Sequence, residues 1–253
     1  VEFVVFLDCD DFLVATCLEN IVNDIHSNSG VDYCIYPIGL FNRQVGDSRV
    51  ICNIPTAKDP LHRFLDRDIV WLISGPIWKR STLESLDGFD DILHSQQDYD
   101  LHIRALIEGI PYKYFHREPD TYYRQEVDSV PRSSSQSIEH FQFRFEMVLR
   151  HAELLEKAGK LNVTEKLLVA RYLLDLAQMM RWHFVQLGKQ AKEIGLHYWS
   201  FAQKLDLVDA KEYFLGRKYI SFKHNMKWNR LPLIQGKLEE IHRRKLGDLV
   251  FTP

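Results

Sequence analysis

Phe3 to Phe12 reads F-V-V-F-L-D-C-D-D-F: five apolar residues, Phe3 through Leu7, run directly into carboxylates at Asp8, Asp10 and Asp11. A short continuous apolar run rich in β-branched and aromatic residues predicts a strand covered on both faces. Ligands of open α/β sheets sit just beyond the carboxyl ends of such strands. Three acids gathered there repel one another unless a cation holds them, and a divalent metal carrying phosphate oxygens would do so. The alternative is an ordinary acidic turn, because turns favour Asp. The chain opens without Met, already inside this strand. The expected sheet is therefore N-terminally incomplete, a portion of something longer.

A chain of 253 residues can bury a sizeable core and holds one or two domains. A formal net charge of -3 and the lack of a dense basic tract argue against nucleic acid as a partner. No apolar run approaches the roughly 20 residues that span a bilayer, and no signal peptide is visible. Cys9, Cys17, Cys34 and Cys52 lack close-paired metal spacing and suit a reducing compartment. A cytoplasmic protein is expected.

Beyond the acids, Leu18, Ile21, Val22 and Ile25 recur at helical spacing in a stretch ending near Gly30. Asp32–Leu40 reads as one strand and Arg49–Ile54 as a shorter one. Pro60 suits the first position of a helical turn over Asp59–Asp66. Trp71–Trp78 reads as strand followed by a tight loop at Gly75 and Pro76, and Ser81 as the cap of a short helix over Thr82–Leu86. Gln96–Ile110 carries a helix with Leu101, Ala105 and Leu106 facing one way and Gly109 placed to end it. Tyr112–Phe115 and Thr121–Arg124 read as short strands. Asp128–Ser137, rich in serine, is the clearest loop and the best domain boundary.

Three stretches taken together resemble a family 2 glycosyltransferase of the GT-A fold. They are the D-C-D-D of Asp8–Asp11, the G-P-I-W-K-R-S-T-L-E-S-L-D-G-F-D-D of Gly75–Asp91, and the Q-Q-D-Y-D-L-H-I-R of Gln96–Arg104. Y-Y-R-Q-E-V-D-S-V, Tyr122–Val130, is similar to the Tyr-Arg segment that closes that family's catalytic domain. The resemblance covers about residues 1–130 and implies a Rossmann-like mixed sheet in an α/β domain there; composition and patterning add a serine loop at 131–137 and an all-helical region over 138–253. It implies inverting transfer of a sugar from a nucleotide diphosphate, a UDP-sugar foremost, to a carbohydrate or lipid-linked acceptor in polysaccharide or glycolipid assembly. Asp8 and Asp10 would hold Mn²⁺ or Mg²⁺. Asp98 matches the family's base, and Asp11, Gly75, Trp78, Gln97 and Arg124 fall on the substrate side.

The roles have physical reasons. A metal would stabilise the charge that develops on the leaving diphosphate, and the attacking hydroxyl needs a positioned carboxylate to take its proton. Arg124 suits bidentate phosphate contact, or else a salt bridge near Asp120. Trp78 could stack on a sugar ring or simply pack beside Pro76. Asp98 alone could be a first-turn acid favoured by the helix dipole. The pattern departs from the family at Gln97, where Glu is usual, and at Glu126, where a His is common. Both departures favour the rival reading of a weak or inactive GT-A-like binding or scaffold domain.

From Ile138 to Leu246 the patterning is helical, with a broad apolar stripe through Leu167, Leu168, Tyr172, Leu174, Leu176, Met179 and Met180 and another at Ile234 and Leu238. Four or five helices are expected, with hardly any strand. Gln178–Trp182, Q-M-M-R-W, matches a short signature of processive polysaccharide synthases. It stands some eighty residues after Asp98, out of that signature's context, and reads as a chance match. Arg217, Lys218, Lys223, Lys227 and Arg230, with Arg243, Arg244 and Lys245, suit peripheral contact with an anionic membrane face. A packed helical cap or a dimer surface with solvated charges explains them as well and fits the slightly acidic chain better.

Overall fold

The computed structural model describes residues 2–28, 30–125, 137–184, 187–221 and 231–246. Glu126, the serine loop as far as residue 136, and Lys223, Lys227 and Arg230 lie outside the described residues. The chain divides into two compact units, one of Val1–Pro60, Ile69–Asp91 and Gln96–Ser134, the other of Leu61–Asp68, Ile92–Ser95 and Ser135–Pro253. Two short segments of the first 130 residues thus cluster with the helical part.

In the first unit, β1 (Phe3–Val5) pairs antiparallel with β6 (Pro76–Lys79), β6 pairs antiparallel with β3 (Tyr33–Ile35), and β3 runs parallel to β7 (Tyr112–Tyr114). A second sheet sets β2 (Phe12–Leu13) against β8 (Thr121–Arg124), β8 parallel to β4 (Ile38–Phe41), and β4 antiparallel to β5 (Ile51–Cys52). The single strand expected over Asp32–Leu40 is therefore two strands, one in each sheet. Pro37 stands between them; it has no N–H to give to a ladder, and central pairing stops there.

The expected strand over Phe3–Leu7 is shorter and less covered than its composition suggests. β1 is at the sheet edge, its three residues are half-buried, and Leu7 is exposed. The helix that follows, α1 (Cys17–His26), buries Cys17 and Ile21, but Leu18 and Val22 of the predicted face are exposed. Cys17, Ile21, Cys34, Tyr36 and Ile77 form one apolar cluster, with Phe3, Val5 and Leu13 against it.

The order predicted for Trp71–Trp78 is reversed: the loop comes first and β6 follows it. Trp78 on β6 is fully buried and stacks on Tyr33 with ring centroids 4.3 Å apart. The helical turn α3 (Arg80–Ser85) starts at Lys79 rather than from a Ser81 cap. α4 (Gln97–Glu108) ends, as its sequence predicts, at Gly109, whose φ of 72° places it in the left-handed region. Asp100 on α4 is fully buried and takes the Nε–H of Arg104 at 2.7 Å. Arg104 also donates to the carbonyls of Leu86 and, at 2.6 Å, of Gly88, which fixes the start of α4 against that turn.

Among the described residues the second unit contains the short helix α2 (Pro60–Leu65) from Leu61 onward, and then five long helices. α5 (Ile138–Lys157) begins at a capping box in which Ser137 Oγ accepts the His140 N–H and His140 Nδ1 accepts the Ser137 N–H. α6 (Val163–His183) buries Leu167, Leu168, Tyr172, Leu174, Leu176 and Met180. Met179 departs from the predicted stripe and is exposed. α7 (Gly188–Lys204), α8 (Ala210–Ser221) and α9 (Leu231–Leu246) complete the unit. Gly216 is required on α8, because a Cβ there would lie 2.3 Å from the indole of Trp199. Two of the C-terminal basic residues are matched within the unit: Lys245 pairs with Glu212 at 2.8 Å and Asp209 at 3.2 Å, and Arg244 pairs with Glu240. No helix among the described residues is long and apolar enough to cross a membrane.

Candidate functional site

The acidic turn forms where the apolar run gives out. Asp8, Cys9 and Asp10 are exposed, and the Asp11 N–H donates to the Asp8 carbonyl at 3.1 Å, closing the turn. Asp11 faces inward. Its carboxylate accepts the backbone N–H of Arg124 at 3.0 Å and the hydroxyl of Ser74 at 3.3 Å. Burial pushes its carboxyl up; the Arg124 N–H opposes the rise, and Asp8 adds to it. Asp11 is thus a strut that holds the turn, while Asp8 and Asp10 project into solvent.

Arg124 closes the clamp from the other side. Its Nε donates to the Asp10 carbonyl at 3.1 Å, Nη1 donates to the Asn42 carbonyl at 3.3 Å, and the guanidinium lies 4.5 Å from the centroid of Phe41. Asp120, the salt-bridge partner considered for Arg124, pairs instead with Arg117 at 2.7 Å. Arg124 therefore presents a fixed cation beside the acids, engaged through carbonyl oxygens rather than through a carboxylate.

Asp98 enters from the first turn of α4. Burial raises its carboxyl above the usual carboxylate range; the backbone N–H groups of Tyr99 and of Asp98 itself oppose the rise, and the charge of Asp8 adds to it. Position 97, where the resembled family usually has a Glu, is Gln97 and adds no like charge. Burial and Asp8 supply the effect without it. Gln97 is half-buried at the first residue of α4.

Two of the sequence-predicted substrate residues do not reach this site. Trp78 is fully enclosed between Tyr33 and His102 and has no face to offer a sugar. Gly75 is buried where a Cβ would lie 1.7 Å from Asn53 Nδ2. Asn53 needs that space because it ties two loops: Nδ2 donates to the Tyr36 carbonyl at 3.1 Å and Oδ1 accepts the Leu72 N–H at 2.9 Å. Gly75 permits the close approach of Asn53. Ser74 and Asp100 were not predicted. A buried serine hydroxyl has no sequence signal of its own, although Asp100 with Arg104 at i, i+4 is a recognisable pair.

Among the described residues no group of three or more His, Cys, Asp or Glu is placed to hold a metal ion. The acidic turn offers instead two exposed carboxylates, Asp8 and Asp10. That donor set fits a hard divalent cation that takes its remaining oxygens from phosphate and water, as Mg²⁺ does in phosphate-bearing sites.

No protein-family model matches this sequence, and no match is found among curated protein sequences. A solved structure does match: residues 1–349 of S. aureus TarS, in complex with UDP-GlcNAc, at a TM-score of 0.59 and 14% identity. The match covers 94% of this chain and 68% of that one. At this identity the likeness is one of fold, a mixed α/β arrangement followed by helices.

Proposed function

We propose that this chain transfers a sugar from a nucleotide-diphosphate donor to an acceptor hydroxyl, with inversion, in the manner of the family 2 glycosyltransferases its motifs resemble. The observation that carries the reading is the joining of a clamped acidic turn to a proton-avid Asp98 within one compact unit. UDP-GlcNAc is the first donor to test, because the structurally similar TarS was solved with it.

In this mechanism Asp98 accepts the proton of the acceptor hydroxyl while that oxygen bonds to the anomeric carbon and the bond to the diphosphate breaks on the opposite face. A carboxyl whose pKa is raised toward the working pH is a better proton acceptor than an ordinary Asp. Arg124, held over Phe41, gives the diphosphate a fixed positive neighbour. Asp8 and Asp10 would hold Mn²⁺ or Mg²⁺, which when bound offsets the charge gained by the departing diphosphate. The acceptor is proposed to be a carbohydrate or a lipid-linked glycan.

The test is calorimetric titration with UDP-GlcNAc in Mn²⁺, followed by assay of UDP release with and without candidate acceptors. Metal-dependent binding with slow UDP release in the absence of acceptor supports transfer. Binding with no release under any condition supports the binding-domain alternative that Gln97 favours. Absence of binding to UDP-GlcNAc and other UDP-sugars overturns both.

A further inference from the structure

β4 and β5 are joined by residues 42–50, N-R-Q-V-G-D-S-R-V, a run carrying the Asn, Gly, Asp and Ser that turns favour. The base of this hairpin is closed by the Leu40 N–H, which donates to the Val50 carbonyl at 2.9 Å. Its tip folds on one side chain. Asp47 Oδ1 accepts the Asn42 N–H at 2.9 Å, and Oδ2 accepts the N–H groups of Arg43 at 2.8 Å and Gln44 at 3.1 Å. The Asp47 N–H returns a bond to the Gln44 carbonyl at 3.1 Å, and Gly46 makes the turn at a left-handed φ of 95°. Asp47 is exposed, yet both of its oxygens are committed to three successive amides of its own loop.

Those amides bear on the candidate site. The Asn42 carbonyl accepts Arg124 Nη1 at 3.3 Å, and it belongs to the same peptide group as the Arg43 N–H. A trans peptide is planar, with its C=O and N–H on opposite sides. Asp47 therefore grips one end of a rigid plate whose other end holds the guanidinium. A carboxylate drawing on the N–H also polarises the carbonyl opposite and strengthens the bond it accepts. The three amides, that of Asn42 foremost, hold the Asp47 carboxyl below the usual carboxylate range, and the charge of Arg124 lowers it further. The Asn42 carbonyl lies past the end of β4, so its place is set by the loop rather than by a strand ladder.

We infer that Asp47 is a positioning residue: by fixing the Asn42–Arg43 peptide it sets the Arg124 guanidinium for the donor diphosphate. The diphosphate in that statement rests on the transferase reading above. Charge and position act in opposite directions here. As a negative neighbour of Arg124, Asp47 weakens the local field for an anion; as the anchor of the loop, it keeps the cation aimed. Removing it strengthens anion binding through the first effect and weakens it through the second. A guanidinium meets phosphate oxygens in pairs only when its planar fork is correctly turned. Orientation therefore outweighs the field of one solvent-screened charge.

The experiment uses the whole chain, ¹⁵N-labelled and at first without ligand. The Arg124 Nε–H resonance is identified by its loss in Arg124→Lys and should stand apart from those of mobile arginines. In Asp47→Ala it should move toward them, while the melting temperature stays close to the parent's because Asp47 is exposed. Calorimetry with UDP-GlcNAc in Mn²⁺ should then show affinity weakened about 10-fold, the order of one charged hydrogen bond partly lost. Asp47→Asn removes the same charge but keeps one acceptor oxygen, and its affinity should lie between the two. Adding Asp47→Ala to Arg124→Lys should cost little beyond Arg124→Lys alone, because the two residues act as one unit. An Arg124 signal unmoved by Asp47→Ala overturns the inference. So does affinity that stays unchanged, or rises equally in the Ala and Asn variants, which would leave Asp47 only its charge. Losses that add in full in the double variant overturn it too. Failure of the parent to bind UDP-GlcNAc or other UDP-sugars is a different result. It retires the transferase reading and the diphosphate with it, while an Arg124 signal that follows Asp47 keeps the link between the two residues.

Discussion

The carboxylate of Asp11 accepts the backbone N–H of Arg124 at 3.0 Å, joining the acidic turn to the end of a strand 113 positions away. Ser74 adds a second donor, so the turn is held by a half-buried acid whose oxygens are engaged within the protein. Asp11→Ala leaves both donors without their acceptor. Urea unfolding should show a loss of roughly 1–3 kcal/mol, the usual cost of stranding buried polar groups, and UDP-GlcNAc affinity should fall with it. A stability change near zero would mean that the clamp does not matter.

Asp10→Ala should behave in the opposite way. Asp10 is exposed, and exposed substitutions generally stay within about 0.5 kcal/mol. The fold should therefore persist while metal-dependent UDP-GlcNAc binding disappears in calorimetry. Chelation of the metal should reproduce the variant in the parent protein. Retained binding in both cases would remove the metal role from the turn.

Asp98→Asn should lower transfer by about 10²-fold or more, the usual weight of a general base, with donor affinity preserved. Because burial and then Asp8 raise the Asp98 carboxyl, the acidic limb of kcat/KM should lie above the ordinary Asp range. Activity needs the deprotonated form, so it is lost as pH falls through that raised value. Asp8→Asn removes a like charge and should move the limb to lower pH. A limb that does not move would separate the two acids.

His102 is fully enclosed among Trp71, Trp78 and neighbouring core, and burial lowers its pKa from 6.5 to about 3. The unfolded chain binds this proton at a higher pH than the folded chain does. The contribution to stability is complete above pH 6.5 and is lost progressively as pH falls toward about 3. At roughly 1.4 kcal/mol per pH unit the sum is at most ~5 kcal/mol. His102→Phe should flatten the dependence of the urea midpoint on pH in that window; an unchanged slope would assign acid sensitivity to other groups.

Much of this arrangement was legible before the structure. The acids at the end of an apolar run, the helix from Gln97 to a stop at Gly109 and the helical C-terminal part all follow from local rules of spacing and termination. What was hidden depended on partners remote in sequence. The apolar content of Phe3–Leu7 could not reveal an edge strand, because edge and central positions differ in neighbours rather than in residues. Trp78 beside Pro76 was open to two readings, sugar platform or packing, and the stacking of Tyr33 and His102 on it favours packing. Gly75 looked like part of a binding loop, yet the side chain that requires it, Asn53, lies 22 positions earlier. Met179 fell on the apolar stripe by period but not by burial.

The grip of Arg104 on the Leu86 and Gly88 carbonyls and on Asp100 makes the start of α4 and the preceding turn one stiff piece. Asp98, the proposed base, stands on that piece, so under the proposal its aim depends on a residue that need not touch a substrate. Lysine at this position would keep the charge but lose the fork that reaches three oxygens at once. An error of about 1 Å in a reacting group can cost about 10²-fold in rate. Arg104→Lys should accordingly appear as a fall in kcat with little change in KM for the donor. Such a defect in timing and not in recognition would be missed by any screen that measures binding alone.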